Sequence, residues 1–303
     1  MVLKRVICLM GPTASGKTAL ALKLAGSLPL DIISVDSAMI YRGMDIGTAK
    51  PSPDVLLQTP HYLIDLCDPS QAYSVGDFYR DVHSQIETSL NALRTPLLVG
   101  GTMMYFRALQ QGLAALPPAN STIRVQLLDE ATTHGWAYLH RRLEEIDPVA
   151  AKRIHHNDKQ RIQRALEVYY VSGQSMSAYQ TMTNHDETIS FSWFALFPED
   201  RALLHATIAA RFHAMLAAGL IAEVEALFAR GDLSRALPSI RSVNYRQVWE
   251  YLLGETSYDE MVMRAIAATR QLAKRQLTWL RSFKDVRFLS GDINESIKAI
   301  SAS

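Results

Sequence analysis

The chain has 303 residues, 48% hydrophobic and 20% charged, and its 31 basic and 30 acidic side chains leave a net charge of +1. That excludes a disordered chain, which needs low hydrophobicity and high net charge, and at roughly 150 residues per domain it predicts two domains or one interrupted domain. No apolar run approaches the roughly 18 residues of a membrane span, no secretory leader is expected, and two cysteines, Cys8 and Cys67, predict a reducing, cytoplasmic setting with neither a disulfide framework nor a cysteine metal site.

Lys4 to Met10 reads as a buried strand, broken by Gly11 to Gly16 and followed by a helix over Lys17 to Ala25. Asp31 to Val35 is a second apolar run, and His61 to Leu66 is a candidate third strand. Val75 to Leu93 has helical spacing, with Phe78, Val82, Ile86 and Leu90 at steps of four. Pro96 to Val99 is a further buried strand, stopped by Gly100-Gly101. This alternation predicts a parallel sheet with both faces covered. At Leu116-Pro117-Pro118 the texture changes, and helices are expected over Arg124 to Thr132 and Trp136 to Ile146. Asn157-Asp158 caps another over Lys159 to Val171, which Gly173 ends. Ser190 to Phe197 returns to strand, Leu203 to Arg230 is helix with a break near Gly219, and Tyr258 to Phe283 is a long final helix. The last dozen residues are polar and are expected to fray.

Gly11-Pro12-Thr13-Ala14-Ser15-Gly16-Lys17-Thr18 satisfies G-x-x-x-x-G-K-[ST] at every fixed position, between a buried strand and a helix. In such a loop successive backbone N–H groups turn inward toward phosphate oxygens, and the helix start adds its dipole. Lys17 supplies a point charge and Thr18 a hydroxyl for Mg²⁺. The expected fold is α/β: a P-loop NTPase-like parallel sheet core from residues 1–116 and 188–303, helices on both faces, with a helical insertion domain at 117–187. The metal-side acid of an NTPase is missing after Val99, where Gly100-Gly101-Thr102 follows. Asp36 stands instead at the carboxyl end of the second strand, where ligands of open α/β sheets bind, and is assigned catalytic or metal work.

The phosphate loop, together with Asp36-Ser37-Ala38-Met39-Ile40-Tyr41-Arg42-Gly43-Met44-Asp45-Ile46-Gly47-Thr48-Ala49-Lys50-Pro51, resembles the bacterial tRNA dimethylallyltransferase (tRNA isopentenyltransferase) family. The likeness continues through Val99-Gly100-Gly101-Thr102, Asn157-Asp158, Arg161 to Val168, Tyr245-Arg246-Gln247 and Ala268 to Arg281, nearly the whole chain. Asn244 departs from the family's glycine before Tyr-Arg, though asparagine tolerates positive φ better than most residues. The resemblance implies transfer of the dimethylallyl group of dimethylallyl diphosphate to N6 of the adenosine immediately 3′ of the anticodon, in tRNAs reading codons that begin with U. It implies Asp36 as the base and Thr102 and Arg211 as further catalytic contacts to the diphosphate. Gly11, Thr13, Ala14, Ser15, Gly16, Lys17 and Thr18 would bind the diphosphate, with Mg²⁺ on Thr18.

The partners so implied are a tRNA anticodon stem-loop and dimethylallyl diphosphate, with no membrane and a monomeric enzyme. Basic charge is local: Arg270, Lys274, Arg275, Arg281, Lys284 and Arg287 face one acid, Asp285, and Lys152, Arg153, Lys159, Arg161 and Arg164 face Asp158. Expected tRNA contacts are Asp36, Ser37, Ala38, Met39, Thr102, Arg124, Gln160, Arg161, Ile162, Gln163, Arg164, Arg241, Tyr245, Arg246, Arg270, Lys274, Arg275 and Arg281. Leu272, Trp279 and Leu280 lie elsewhere on the last helix and are expected to pack on the core. From the residues alone two other readings stay open: a small-molecule or nucleotide kinase whose lid is the insertion, and a non-catalytic RNA-binding P-loop protein with Asp36 as a metal ligand.

Overall fold

The structure, a computed structural model, describes residues 4–181, 183–184 and 188–302. They fall into two compact units, Met1–Ala108 with Glu187–Ser303, and Leu109–Asp186. In chain order the first unit opens with β1 (Lys4–Met10), α1 (Lys17–Ala25), β2 (Leu30–Val35), α2 (Pro53–Gln58), β3 (His61–Tyr62), α3 (Val75–Asn91), β4 (Thr95–Gly100) and α4 (Met103–Gln111). Then follow β5 (Leu113–Ala114), α5 (Ser121–His134), α6 (Trp136–Ile146), α7 (Pro148–Arg153), α8 (Lys159–Ser172), α9 (Met176–Gln180) and β6 (Thr183–Asn184). The chain returns through β7 (Ile189–Leu196), α10 (Arg201–Ala217), α11 (Leu220–Ala229), α12 (Tyr245–Leu252), α13 (Tyr258–Leu280), β8 (Val286–Leu289) and α14 (Ile293–Ser301).

In the first unit six strands form a parallel sheet in the order β3-β2-β4-β1-β7-β8. All six residues of β2 are buried, as are the last five of β1; β1 reads accordingly as an apolar run, while β2 also buries Ser34 and Asp31, the latter paired with Arg94. The chain leaves β1 toward β2 on one side and later comes back on the other side as β7. That reversal opens a crevice at the carboxyl end of β1, where the phosphate loop lies.

Two expectations fail here for local reasons. The third strand is two residues long, because Leu63 and Asp65 take positive φ (59° and 54°) and turn the chain away. The expected fraying is not seen over residues 292–302: β8 pairs with β7, and Ile293, Ile297 and Ile300 of α14 pack with Leu20, Leu24 and Leu289; Ser303 lies outside the described residues. Those isoleucines recur at steps of four and three, an amphipathic pattern hidden among polar residues. Among the described residues no single helix is long and apolar enough to cross a membrane.

The second unit buries Leu127, Leu139, Leu143, Ile154, Ile162 and Leu166 from α5 to α8. It begins at Leu109, before the expected 117, and its ends are joined by antiparallel pairing of β5 with β6. Ile162, expected at the tRNA, is fully buried in this core and its side chain offers no surface to an RNA. Arg124 and Arg164 are likewise not free cations. Arg124 donates to both carboxylate oxygens of the buried Glu167 (2.8 and 3.1 Å), and Arg164 donates to the same carboxylate (2.8 Å) and to Pro117 O (2.7 Å). Burial would raise the Glu167 pKa, but the two guanidinium groups outweigh it and hold the carboxyl below its ordinary value. Gln163 donates to Arg124 O (3.0 Å). Arg164→Met removes one charged donor from a buried acceptor, which should cost about 2 kcal/mol; urea unfolding at pH 7 should read that loss with native helix content unchanged.

Candidate active site

Met10 ends a buried strand, and the chain then curls through Ala14 (φ 62°) and Gly16 (φ 86°) before α1 starts at Lys17. The left-handed residues aim the loop's N–H groups inward. Part of the Lys17 side chain is open to solvent, but its ammonium is buried and donates to Pro12 O (2.5 Å) and Ser15 Oγ (3.4 Å). Burial pulls its pKa down to about 7, with Asp36 opposing the shift and Arg211 adding to it. Burial also lowers the Arg211 pKa, again against the attraction of Asp36. Two cations and one carboxylate therefore lie close enough to feel one another.

Asp36 follows β2. Its Oδ1 accepts the N–H groups of Ala38 (2.8 Å) and Met39 (3.2 Å), while Oδ2 has no hydrogen-bond partner among the described residues. Thr102 follows β4 and ties that turn down: Thr102 N donates to Val35 O (3.2 Å), and its Oγ1 accepts Ser37 N–H (3.0 Å). The strand ends meet so closely that a Cβ on Gly100 would lie 2.0 Å from Val35 O, so only glycine fits. Gln276, nearly buried on α13, donates to Gly101 O and accepts Thr13 N–H, both at 2.9 Å. Thr13 thus spends its N–H on the protein, leaving its side chain for the site.

The segment after Asp36 is locked from behind. Glu223 on α11 accepts the N–H groups of Asp45 (2.9 Å), Ile46 (2.7 Å) and Gly47 (3.1 Å) and the hydroxyl of Tyr245 (2.6 Å). The Lys50 ammonium donates to Tyr41 O (3.0 Å) and pairs with Asp45 and Asp65. Asn244 takes φ 78° and ψ −51°, and its Nδ2 donates to Gly47 O (2.9 Å), so the turn expected of a glycine is kept and gains a tie. Tyr245 is fully buried against Gly47, so its side chain packs and offers no surface to an RNA.

These pieces surround a cavity of about 1180 Å³ within the first unit. Thr13 to Thr18, Asp36 to Met39, Thr102, Arg211, Arg241 and Arg275 all line it. Gly11 is buried, Arg246 is exposed beside Glu250, and Arg281 is exposed over the Phe197 ring. Leu280 packs in the core as expected, but Leu272 and Trp279 do not: both line the cavity, and Trp279 is 37% exposed. In the second unit Gln160 and Arg161 are exposed at the start of α8, Arg161 beside Asp158 (3.1 Å).

A model of the IPP transferase family matches residues 39–283. The chain belongs to the IPP transferase family. It is similar to a solved structure of the tRNA isopentenylpyrophosphate transferase of Bacillus halodurans, at 34% identity over 99% of this chain and 95% of that one, with a TM-score of 0.72. The tRNA delta(2)-isopentenylpyrophosphate transferase of Staphylococcus epidermidis is 30% identical over 98% of this chain and 97% of that one, with a TM-score of 0.69. A eukaryotic dimethylallyltransferase acting on tRNA, 23% identical over 98% of this chain and 78% of that one, shares the fold with a TM-score of 0.83.

In this transferase the residues that sequence reading passed over are Glu223, three of whose partners lie 176 to 178 positions away, and Gln276, which sat inside a recognised stretch but had no assigned role. Glu223→Gln leaves one acceptor oxygen for donors that now share two, and should lower stability by about 2 kcal/mol in urea unfolding. With a pKa near 7, unliganded Lys17 is largely neutral at pH 8. A bound anion favours the ammonium, so diphosphate binding at pH 8 should take up as much as about one proton, and affinity should decline as pH rises above 7. Calorimetry in two buffers of different ionisation heat should detect this uptake in the wild type and find it missing in Lys17→Met.

Proposed function

We propose that the protein transfers the dimethylallyl group of dimethylallyl diphosphate to N6 of the adenosine 3′-adjacent to the anticodon, in tRNAs reading codons that begin with U, and releases diphosphate. The observation that carries this reading is the joint presence of the Asp36 carboxylate and the Lys17 and Arg211 cations on one cavity. Prenyl transfer needs both. The adenine amino group is a weak nucleophile because its lone pair is delocalised into the ring, and its proton must leave as N6 bonds to the allylic carbon. Asp36 Oδ1 is held by two N–H groups, so Oδ2 is the oxygen that accepts that proton. As the carbon–oxygen bond to diphosphate breaks, the developing charge meets Lys17, Arg211 and the N–H groups of Ala14 to Thr18. Fixed donors aimed at the leaving group stabilise it without reorganisation.

The residues present fit Mg²⁺. Thr18 offers one hydroxyl oxygen on the cavity, beside the loop N–H groups that would face the diphosphate. A hard cation that binds through one protein oxygen, water and phosphate oxygens matches that donor set. Bound there, Mg²⁺ supplies charge neutralisation at the diphosphate.

To reach Asp36 the target base must leave the anticodon-loop stack and enter the cavity. Ser37, Ala38 and Met39 line its path, with Arg241 and Arg275 on the wall. Lys274 and Arg281 are exposed on and just past α13, and Gln160, Arg161, Lys152 and Arg153 are exposed on the second unit, the distribution expected for phosphate contacts. A kinase reading has less support, since no carboxylate follows β4 and the acid on the cavity is Asp36.

Incubation with Mg²⁺, labelled dimethylallyl diphosphate and an anticodon stem-loop should yield labelled adenosine and diphosphate without ATP turnover. Asp36→Asn keeps the shape and a hydrogen-bond acceptor but loses the base. Single-turnover transfer from saturated enzyme should fall roughly 10²–10⁴-fold with the RNA dissociation constant little moved and no rescue by added Mg²⁺. A bound-state rate within a few fold of wild type would reject Asp36 as the base.

A further inference from the structure

The cavity wall has a stretch that the reaction described above leaves unused. In the parallel ladders of β2, Ile32 stands opposite His61 on β3 and Ser34 stands opposite Val99 on β4. Side chains alternate along a strand, so Ile32, Ser34, His61 and Val99 share one face of the sheet. Ile32 packs with Leu20 and Ala21 of α1, which makes this the face turned toward the helix that begins Lys17-Thr18. Thr18, Ser34 and His61 all line the cavity.

Two polar groups on that stretch have capacity to spare. Ser34 is 5% exposed, and among the described residues its hydroxyl meets only the Met39 sulfur, at 3.9 Å. His61 Nδ1 lies 2.8 Å from Thr59 O. A carbonyl can only accept, so Nδ1 carries the proton of the neutral ring and Nε2 is left as a bare acceptor. Nε2 has no hydrogen-bond partner among the described residues, and burial lowers the pKa of the ring, which favours its neutral form. The Thr48 hydroxyl on the same wall is already spent on Met44 O (2.7 Å) and Asp45 O (3.1 Å). A bare acceptor repels a diphosphate oxygen, which is an acceptor too, and gains nothing from an allyl group. It fits a donor. With Mg²⁺ on Thr18, as proposed, one protein oxygen leaves most of the coordination to phosphate and water. Water on a divalent cation is a strong donor, and groups behind the ligands that catch it hold the ion in place.

We infer that His61 and Ser34 hold the water shell of the divalent cation at Thr18, with His61 Nε2 and Ser34 Oγ each accepting a hydrogen bond from a metal-bound water. Both are positioning residues: they touch neither the adenine nor the allylic carbon, and act through water on where the cation meets the diphosphate. The inference rests on the metal–diphosphate part of the proposed function.

The test measures, by calorimetry on the full-length enzyme, the dissociation constant of inorganic diphosphate in EDTA and at saturating Mg²⁺. The ratio of the two is the gain that the metal confers, and pairing of Mg²⁺ with diphosphate in solution cancels when variants are compared. His61→Phe keeps a ring but no acceptor and should cut the gain about 10-fold or more, the usual loss when a group behind a metal's ligands is removed. His61→Gln returns an acceptor oxygen near the Nε2 position and should recover most of the gain, and Ser34→Ala should give a smaller loss in the same direction. Far-UV circular dichroism of each variant should match the wild type. If the wild type binds diphosphate no more tightly with Mg²⁺ than in EDTA, the metal–diphosphate reading itself fails. If the wild type shows the gain and His61→Phe keeps all of it, or loses affinity equally in EDTA, His61 does not act on the water of the metal and this inference alone is overturned.

Discussion

Gln276 fastens three remote parts of the chain at one point. Its amide accepts the Thr13 N–H of the phosphate loop and donates to the Gly101 carbonyl after β4, while its backbone belongs to α13. Through Gly101 the tie passes to Thr102, and through Thr102 to Ser37 beside Asp36. The anion-binding loop, the turn that carries the carboxylate and the helix that carries Arg275 and Trp279 are thus set relative to one another by a handful of neutral hydrogen bonds. Each bond adds little net stability alone, but all sit where a shift of about 1 Å would misalign reacting groups.

The strands and helices of the sheet were readable because their signals are local. Continuous burial marked β1 and β2, steps of four marked α3, and Gly219 (φ 99°) marked the break between α10 and α11. The site was readable in part for a different reason. The stretch from Asp36 to Pro51 is distinctive as a string, yet much of it serves the loop itself. Asp45, Ile46 and Gly47 present their N–H groups to Glu223, and Lys50 is a nearly buried ion-pair hub. What no local pattern could reveal is the partner at the other end of such contacts, so Glu223 went unnoticed and Tyr245 was assigned to RNA when it packs on Gly47.

Charge runs proved to be mixtures. In the segment from Lys152 to Arg164, Arg164 is bound to the buried Glu167 and helps fasten the second unit, whereas Lys152, Arg153 and Gln160 are exposed. The run from Arg270 to Arg287 divides in the same way: Arg275 lines the cavity, Lys274 is exposed to solvent, and Arg281 stacks over Phe197. Counting like charges locates a surface that attracts phosphate. It does not separate the cations that hold the fold from those left free for a ligand, because that depends on which carboxylates the folded chain delivers to them.

The pairing of β5 with β6 brings residues 113–114 beside 183–184, although nearly seventy positions separate them along the chain. The second unit is thereby a loop closed at its own base, with a core of its own. For the sheet, everything between the two short strands is a tether whose ends are already fixed, and the entropy of closing it grows only slowly with its length. Helices could be added or removed inside that closure over evolutionary time while the register of β1, β4 and β7 stayed as it is. The part of the molecule freest to vary is then the part that bears Gln160 and Arg161, and the part least free is the one that bears Lys17 and Asp36.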